Sequence, residues 1–344
     1  MSAEAPLVSV IIPVYNGEQS VSDAIRSALC QTYHNIEVIV VDDGSTDATV
    51  AAVQALAALD GRLRIISQAN AGVARARNRG LSAARGEFIA PLDADDLWDP
   101  AKIERQVDRM LKAGEETGLV YCWWVWIDDH GTVLDRSPAW QIEGDGAAEI
   151  LLQVNYTGNA SVPLYRRHCI EEAGGYDEMM EQHGARGCED WDLALKVAER
   201  YRVAAVTELL VGYRRRRDSM SACCDVMRES HALMVAAARE RAPELAPGLL
   251  RRSAGQFALY LAGISFWSGS YLQAAGWALR AWRSRTALRI LPYVIRLLTR
   301  HLLGARRVRG PVMAPGVPLD RKSVAGPLIP YDRIYGLVGG STRG

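Results

Sequence analysis

Four short apolar runs, each closing on a polar cluster and separated from the next by a stretch with helical spacing, constrain this chain more than any other feature. Leu7 to Ile12 ends in Pro13-Val14-Tyr15-Asn16-Gly17-Glu18, and Ile36 to Val41 ends in Asp42-Asp43-Gly44-Ser45-Thr46-Asp47. Arg62 to Ser67 leads into Gln68-Ala69-Asn70-Ala71-Gly72, and Glu87 to Leu92 delivers Asp93-Ala94-Asp95-Asp96. Between the runs, Val21, Ala24, Ile25, Ala28 and Leu29 recur at helical period. A second helix to about Leu59 is expected with Ser45 or Thr46 as its cap, and a third carries Arg75, Arg77 and Asn78. Strands that are apolar throughout and alternate with helices predict a parallel sheet buried on both faces. Ligands bind such sheets beyond the carboxyl ends of the strands, so the four clusters should line one crevice.

The last cluster carries its own chemistry. Three carboxylates at a strand end repel one another unless a cation sits there, and Mg²⁺ or Mn²⁺ takes oxygen ligands while keeping waters or substrate phosphates in its shell. Read alone, the same residues could equally be an acidic turn capping a helix that begins near Pro100. Convergence of four polar clusters favours the ligand site, because a cap does not need it.

Together the segments Pro13-Val14-Tyr15-Asn16, Asp42 to Asp47, Asn70-x-Gly72-x-x-x-Ala76-Arg77-Asn78-x-Gly80 and Leu92-Asp93-Ala94-Asp95-Asp96 resemble the successive signatures of family-2 glycosyltransferases. Gly174-Gly175-Tyr176-Asp177-Glu178 and Glu189-Asp190-Trp191-Asp192 are similar to that family's acceptor-side motifs. Any one motif is weak; six in order, from about Leu7 to Ser221, are specific. The resemblance implies a GT-A fold, an α/β, Rossmann-like and mainly parallel sheet, followed here by a helical C-terminal module. It implies an inverting transfer from a nucleotide-sugar, a UDP-sugar, to an acceptor hydroxyl on a glycan or lipid-linked acceptor of the cell surface.

Residue by residue, the resemblance puts Pro13 and Tyr15 beside the nucleotide base and gives Asp43 a hydrogen bond from the uracil imide. Asn16, Glu18, Asn70 and Ala94 join the nucleotide-sugar side, and Arg77 would approach the diphosphate. Asp93 lies near the ribose, and Asp95 matches the metal ligand for Mn²⁺ or Mg²⁺. Asp190 aligns with the catalytic base, with Glu189, Trp191 and Asp192 on the acceptor side. Alternatives stay open for several of these. Asp42 and Asp43 could form an Asx turn, Asp47 a first helical turn, and Arg77 a pair with a local carboxylate. Asp96 could act behind the metal or cap the next helix, and the Glu189–Asp192 cluster also suits a helix N-terminus.

One departure stands out. The family often carries Tyr-Arg-x-His, whereas this chain reads Tyr213-Arg214-Arg215-Arg216, with arginine where the histidine would be. Arg216 cannot ligate a cation but can make bidentate bonds to phosphate oxygens, which would leave metal binding to Asp95, diphosphate and water.

The six cysteines show no paired spacing, which argues against zinc or a disulfide framework. The chain opens without a charged and apolar leader, so a cytoplasmic placement is expected, peripheral to the membrane if the basic C-terminal part binds it. Equal totals of 40 acidic and 40 basic residues conceal an asymmetry: Leu245 to Leu319 has no Asp or Glu and eleven Arg. Residues 1–225 are read as the catalytic domain, 226–304 as a basic helical module and 305–344 as a Gly/Pro-rich tail. Within the module, helices Leu249–Trp267 and Tyr271–Trp282 form a hairpin around Ser268-Gly269-Ser270, and Thr286–Leu303 is a basic amphipathic helix suited either to an anionic membrane or to packing on the hairpin. No nucleic-acid motif accompanies the arginines. The Gly-rich N-terminal signature of a nucleotidyltransferase is absent; intact Asp95 and Asp190 speak against a binding or scaffold protein without turnover, though Arg216 keeps that alternative open.

Overall fold

The computed structural model describes residues 5–182, 184–216, 223–283, 311–321 and 324. The four apolar runs form β1 (Val8–Val14), β2 (Ile36–Asp42), β3 (Leu63–Ser67) and β4 (Phe88–Pro91), all paired in parallel in the order β3-β2-β1-β4. Every residue of β1, β2 and β4 is buried, as a sheet covered on both faces requires. The covering helices are α1 (Val21–Leu29), α2 (Thr49–Ala57) and α3 (Val73–Ala83). Helix α3 lies so close to β1 that a Cβ on Gly80 would sit 2.4 Å from Ile11 Cγ2.

Beyond β4 the strict alternation ends. The chain continues through β5 (Leu97–Trp98), α4 (Lys102–Ala113), β6 (Thr117–Ile127), β7 (Val133–Arg136), α5 (Ala147–Gln153), β8 (Leu164–Arg166), α6 (Arg167–Glu172), α7 (Met179–Gln182), α8 (Glu189–Ala198) and β9 (Arg202–Arg214). The path through the sheet is β3-β2-β1-β4-β8-β6-β9-β5, with β7 on β6. Strand β8 runs antiparallel to both β4 and β6, while β6 and β9 are parallel. The sheet is therefore mixed, with its parallel part confined to the first ninety residues and to β6–β9. Register shifts around Trp123 break the period of two in β6, so Trp123 and Trp126 are half-buried while Tyr121, Cys122, Trp124 and Val125 are buried.

Two cap expectations are corrected. Helix α2 starts at Thr49, whose N–H donates to Asp47 Oδ1 at 3.0 Å; Ser45 and Thr46 bond to Asn16 instead. Ahead of α4 the carboxylate that accepts is Asp99, from Ala101 N–H at 3.0 Å, and none of Asp93, Asp95 or Asp96 does so.

Helices α9 (Cys224–Arg241), α10 (Pro247–Trp267) and α11 (Tyr271–Arg283) complete the described helices. The hairpin turns at Gly269 with φ 81°, a left-handed conformation open to glycine. Helix α10 packs on α5 and α9 as well as α11, burying Leu249, Phe257 and Leu261. Among the described residues, no helix is long and apolar enough to cross a membrane. The segment 311–321 lies along the sheet: Met313 N–H donates to Gly131 O, and Val133 N–H to Pro311 O. Met313, Leu319 and Val324 join Leu97, Val125, Ile127, Val133 and Leu209 in a second apolar cluster. The expected helix Thr286–Leu303 lies outside the described residues, as does most of the expected Gly/Pro-rich tail.

Candidate active site

The β1–α1 and β2–α2 loops are laced together beyond the strand ends. Asn16 holds φ 49°, rare for a residue with a Cβ; its N–H donates to Ser45 Oγ at 2.9 Å and its Oδ1 accepts from Thr46 N–H at 2.8 Å. Glu18 closes the seam, with its N–H on Asp47 Oδ2 and its Oε2 accepting from Ala48 N–H. Asp42 turns back to accept from Ser45 N–H, the Asx geometry. Pro13 is a buried strand residue opposite Val41, whereas Tyr15 is 54% exposed at the loop tip. Ala94 lies next to this loop, 3.9 Å from where a Cβ on Gly17 would sit.

Asp43 is buried, and its carboxylate clasps the loop ahead of α3. It accepts from Gln68 Nε2 and Ala71 N–H on one oxygen and from Gly72 N–H on the other, all within 2.9 Å. A carboxylate can accept about four hydrogen bonds, so one acceptor position remains. Asn70 is exposed on the same loop.

The centre of the site is Arg77, 97% buried and carried by α3. Its Nη2 donates to Asp93 at 2.6 Å, its Nη1 donates to Glu189 at 2.8 Å, and the guanidinium lies 5.3 Å from the Tyr176 ring centroid. Burial by itself would lower the Arg77 pKa, but Asp93 and Glu189 outweigh it and hold the group well above its usual value. Arg77 thus takes the paired geometry, between the acidic cluster after β4 and the start of α8. The Gly174–Glu178 turn is held on α3 too. Asn78 accepts from Tyr176 N–H and donates to Tyr176 O and Glu178, and a Cβ on Gly175 would come within 2.8 Å of the Asn78 Oδ1.

The three aspartates have different environments. Asp96 is fully buried, accepting from Asn159 Nδ2, Ser161 Oγ and Arg214 N–H, so it anchors the cluster to the β8 approach and to β9. Asp93 is taken by Arg77 and steadied by its own N–H on Ser161 Oγ. Asp95 is half-buried, and among the described residues no other residue donates to its carboxylate; its main-chain oxygen accepts from Arg214 Nε at 2.6 Å. Burial and then the Asp93 charge push the Asp95 carboxyl up to about 6, against Arg214 and Arg216. Arg216 is half-buried and near enough to act on that charge.

Asp190 opens α8 with its Oδ1 accepting from Trp191 N–H. Burial and the adjacent Glu189 push its carboxyl up to about 7, with Arg77 opposing. Glu189 is buried, bonded to Gly187 N–H and Arg77. Trp191 and Asp192 serve the helical layer instead. Trp191 Nε1 donates to Leu151 O and its ring packs near His231 and Phe257, and buried Asp192 pairs with Lys196 and Arg241.

Sequence reasoning singled out neither Asn159 nor Ser161, since nothing in the loop before β8 has a diagnostic spacing. Arg214 was in view as part of the Tyr-Arg motif, without a role. Among the described residues, no cluster of three or more His, Cys, Asp or Glu side chains is arranged to hold a metal by itself. Asp95 is left, among the described residues, as the carboxylate of its cluster without a donor from another residue, and Arg77 ties its neighbour Asp93 to Glu189, the residue before the raised Asp190.

Comparison with known proteins agrees with this architecture. Residues 9–168 match the model of the family described as Glycosyl transferase family 2. The chain is 38% identical over 173 residues to the putative glycosyltransferase EpsH of Bacillus subtilis, covering 49% of each chain. It is 35% identical over 189 residues to an uncharacterized glycosyltransferase of Nostoc sp., covering 53% of this chain and 57% of that one. The chain thus spans about half the length of these curated relatives. Among solved structures, the fold resembles the mannosyltransferase PcManGT of Pyrobaculum calidifontis in complex with GDP-Man and Mn²⁺, with a TM-score of 0.55 at 22% identity over 88% of this chain and 81% of that one. It also resembles S. aureus TarS 1–349 in complex with UDP-GlcNAc, with a TM-score of 0.53 at 18% identity over 83% and 91%. These likenesses establish the GT-A fold.

Proposed function

Residues 9–168 form a glycosyl transferase family 2 domain, and from that premise we propose that the chain transfers a sugar from a nucleotide-sugar to an acceptor hydroxyl with inversion at the anomeric carbon. The observation that carries the reading is the place of Asp190, raised to about 7, directly after Glu189, which one buried arginine ties to Asp93 of the acidic cluster.

In this reading the donor is a UDP-sugar whose nucleoside lies over the laced loops. Tyr15 flanks the base, Asp43 offers its fourth acceptor position to the uracil imide, and Asn16, Glu18, Asn70 and Ala94 shape the rim. Asp93, steered by Arg77, faces the ribose. The acceptor hydroxyl lies against Asp190, which takes its proton as the oxygen attacks the anomeric carbon from the face opposite the diphosphate. A carboxyl near 7 suits a general base at neutral pH, since about half of it is ionised there and it is still basic enough to hold a proton. One displacement then breaks the sugar–phosphate bond, forms the glycosidic bond and leaves the nucleoside diphosphate.

The residues fit a divalent ion. Asp95 is the one carboxylate of its cluster without a hydrogen-bond donor from another described residue, and burial first and the Asp93 charge second raise it, both of which a cation would offset. Mg²⁺ or Mn²⁺ would be held by Asp95 together with donor phosphate oxygens and water, supplying charge neutralisation for the departing diphosphate. Arg216 adds a cation on the same side, suited to phosphate oxygens. The acceptor is a glycan or lipid-linked hydroxyl.

The test is nucleoside diphosphate release from a panel of UDP- and GDP-sugars with Mn²⁺, using the full chain beside Asp95→Ala and Asp190→Ala. Release from one donor, lost in both variants, supports the reading. Retained release in Asp190→Ala removes the base assignment, and donor binding without release under any acceptor supplied sinks the transferase.

A further inference from the structure

Strand β9 ends on buried Arg214, and this one residue grips the acidic turn after β4 at two points. Its N–H donates to Asp96 Oδ1 at 2.8 Å, and its Nε donates to the main-chain oxygen of Asp95 at 2.6 Å. Asp96 N–H in turn donates to Asp93 O at 3.1 Å. The peptide unit between Asp95 and Asp96 is therefore bonded at both its oxygen and its N–H. Because that unit is planar, the Cα from which the Asp95 side chain leaves is held with it.

The far end of the same guanidinium is anchored too. Arg214 Nη1 donates to Asp128 O at 2.7 Å, in the turn between β6 and β7. Asp128 Oδ1 closes that turn by accepting from the N–H groups of His130 and Thr132, both at 2.9 Å. The segment 311–321 braces it: Met313 N–H donates to Gly131 O, and a Cβ on Gly131 would come within 2.3 Å of Met313 O. Among the described residues, the guanidinium thus bonds to two main-chain oxygens, Asp95 O and Asp128 O. A guanidinium spent on carbonyls holds the turn without occupying the Asp95 carboxylate.

We propose that Arg214 is the positioning residue of the cation site, holding the peptide that carries Asp95 so that its carboxylate stays open to a divalent ion. The proposal rests on the metal-assisted reading above and adds to it the group that fixes the ligand. Groups behind a metal ligand orient it, and losing one costs about 10–100-fold in metal affinity. Position and charge pull in opposite directions here. As a mere positive charge Arg214 would repel Mn²⁺, and removing it would tighten binding. As a clamp it does the reverse, and removing it weakens binding.

The experiment is an EPR titration of free Mn²⁺ with the full chain, Arg214→Ala and Arg214→Lys, in the presence of UDP and, separately, of GDP. It reads both the affinity and the number of sites. Arg214→Ala should bind Mn²⁺ about 10–100-fold more weakly, at an unchanged number of sites. Arg214→Lys keeps the charge without the fork that spans both oxygens, so it should lose affinity as well, though less. Unchanged or tighter binding in Arg214→Ala overturns the proposal, as does parent affinity in Arg214→Lys. So does a loss confined to the number of sites, which is what a merely structural role produces. If Arg214→Ala does not fold, Arg214→Lys decides by the same criteria. A parent chain that binds no Mn²⁺ with either nucleotide overturns the cation reading together with this one, whereas nucleoside diphosphate release decides sugar transfer separately.

Discussion

Arg77 on α3 donates to Glu189 on α8 across 112 positions of sequence at 2.8 Å, and the same guanidinium holds Asp93 at 2.6 Å. One buried cation therefore sets the distance between the acidic cluster after β4 and the helix that carries the candidate base. Removing one partner of a buried ion pair leaves uncompensated charge and costs about 3–5 kcal/mol. Arg77→Ala should lose that much stability by chemical denaturation. Arg77→Lys should fold better yet lose most of its nucleotide-release activity, because a point charge cannot span both carboxylates as the planar fork does. Equal activity in Arg77→Lys and the parent would refute the positioning role.

Asp190→Asn should lower kcat/KM about 10²–10⁴-fold, the range for a lost general base. In the parent, activity should fall as pH drops below about 7, because the base takes up a proton there. Glu189→Gln removes a neighbouring negative charge that raises Asp190, so its acid limb should move to lower pH. A limb that stays in place would mean that another group controls the profile.

How far the sequence reaches depends on how local the physics is. The first four strands end within two residues of the expected positions; β1, β2 and β4, whose residues are all buried, are fixed by burial, and partly buried β3 pairs alongside β2. The hairpin of α10 and α11 was legible for a similar reason, from an uncharged stretch broken by Ser-Gly-Ser. β8 was not legible: three residues carry too little pattern to reveal a direction, and that strand makes the sheet mixed. Within the site, residue types were readable and their partners were not. Nothing in the sequence tells that Asp43 spends three of its acceptor positions on its own loop. Nor does it tell that Trp191 and Asp192 turn toward α5 and α9 while Glu189 turns toward Arg77, since that choice belongs to the rotation of α8.

His231 makes the helical layer acid-sensitive. It is buried against Phe257, and burial depresses its pKa from 6.5 to about 3, so the folded protein resists protonation where the unfolded chain accepts it. Its contribution is fully present above about 6.5 and is lost as pH falls toward about 3, at up to ~1.4 kcal/mol per pH unit. Urea denaturation of His231→Phe should show a shallower loss of stability than the parent between pH 6 and pH 4 (roughly the middle of that window). Identical slopes would place the acid sensitivity elsewhere.

The segment 311–321 should act as a structural strap. Met313 is 2% exposed and Leu319 5%, both within the cluster formed with Leu97, Val125, Ile127, Val133 and Leu209. Leu319 N–H donates to Asp99 Oδ2 at 2.8 Å, while Asp99 Oδ1 accepts from Ala101 N–H ahead of α4, so one carboxylate ties the strap to that helix. Met313→Ala should then cost about 2–5 kcal/mol, the range for truncating a buried side chain of that size. Val317, 52% exposed two residues before the paired stretch Leu319–Arg321, serves as the control, and Val317→Ala should stay within about 0.5 kcal/mol of the parent. Because Leu97 of the same cluster directly follows Asp95 and Asp96 in the chain, loosening the strap should also weaken donor binding. A Met313→Ala protein with parent stability would show that the strap is a loose cover, and its sheet edge would then be stable without it.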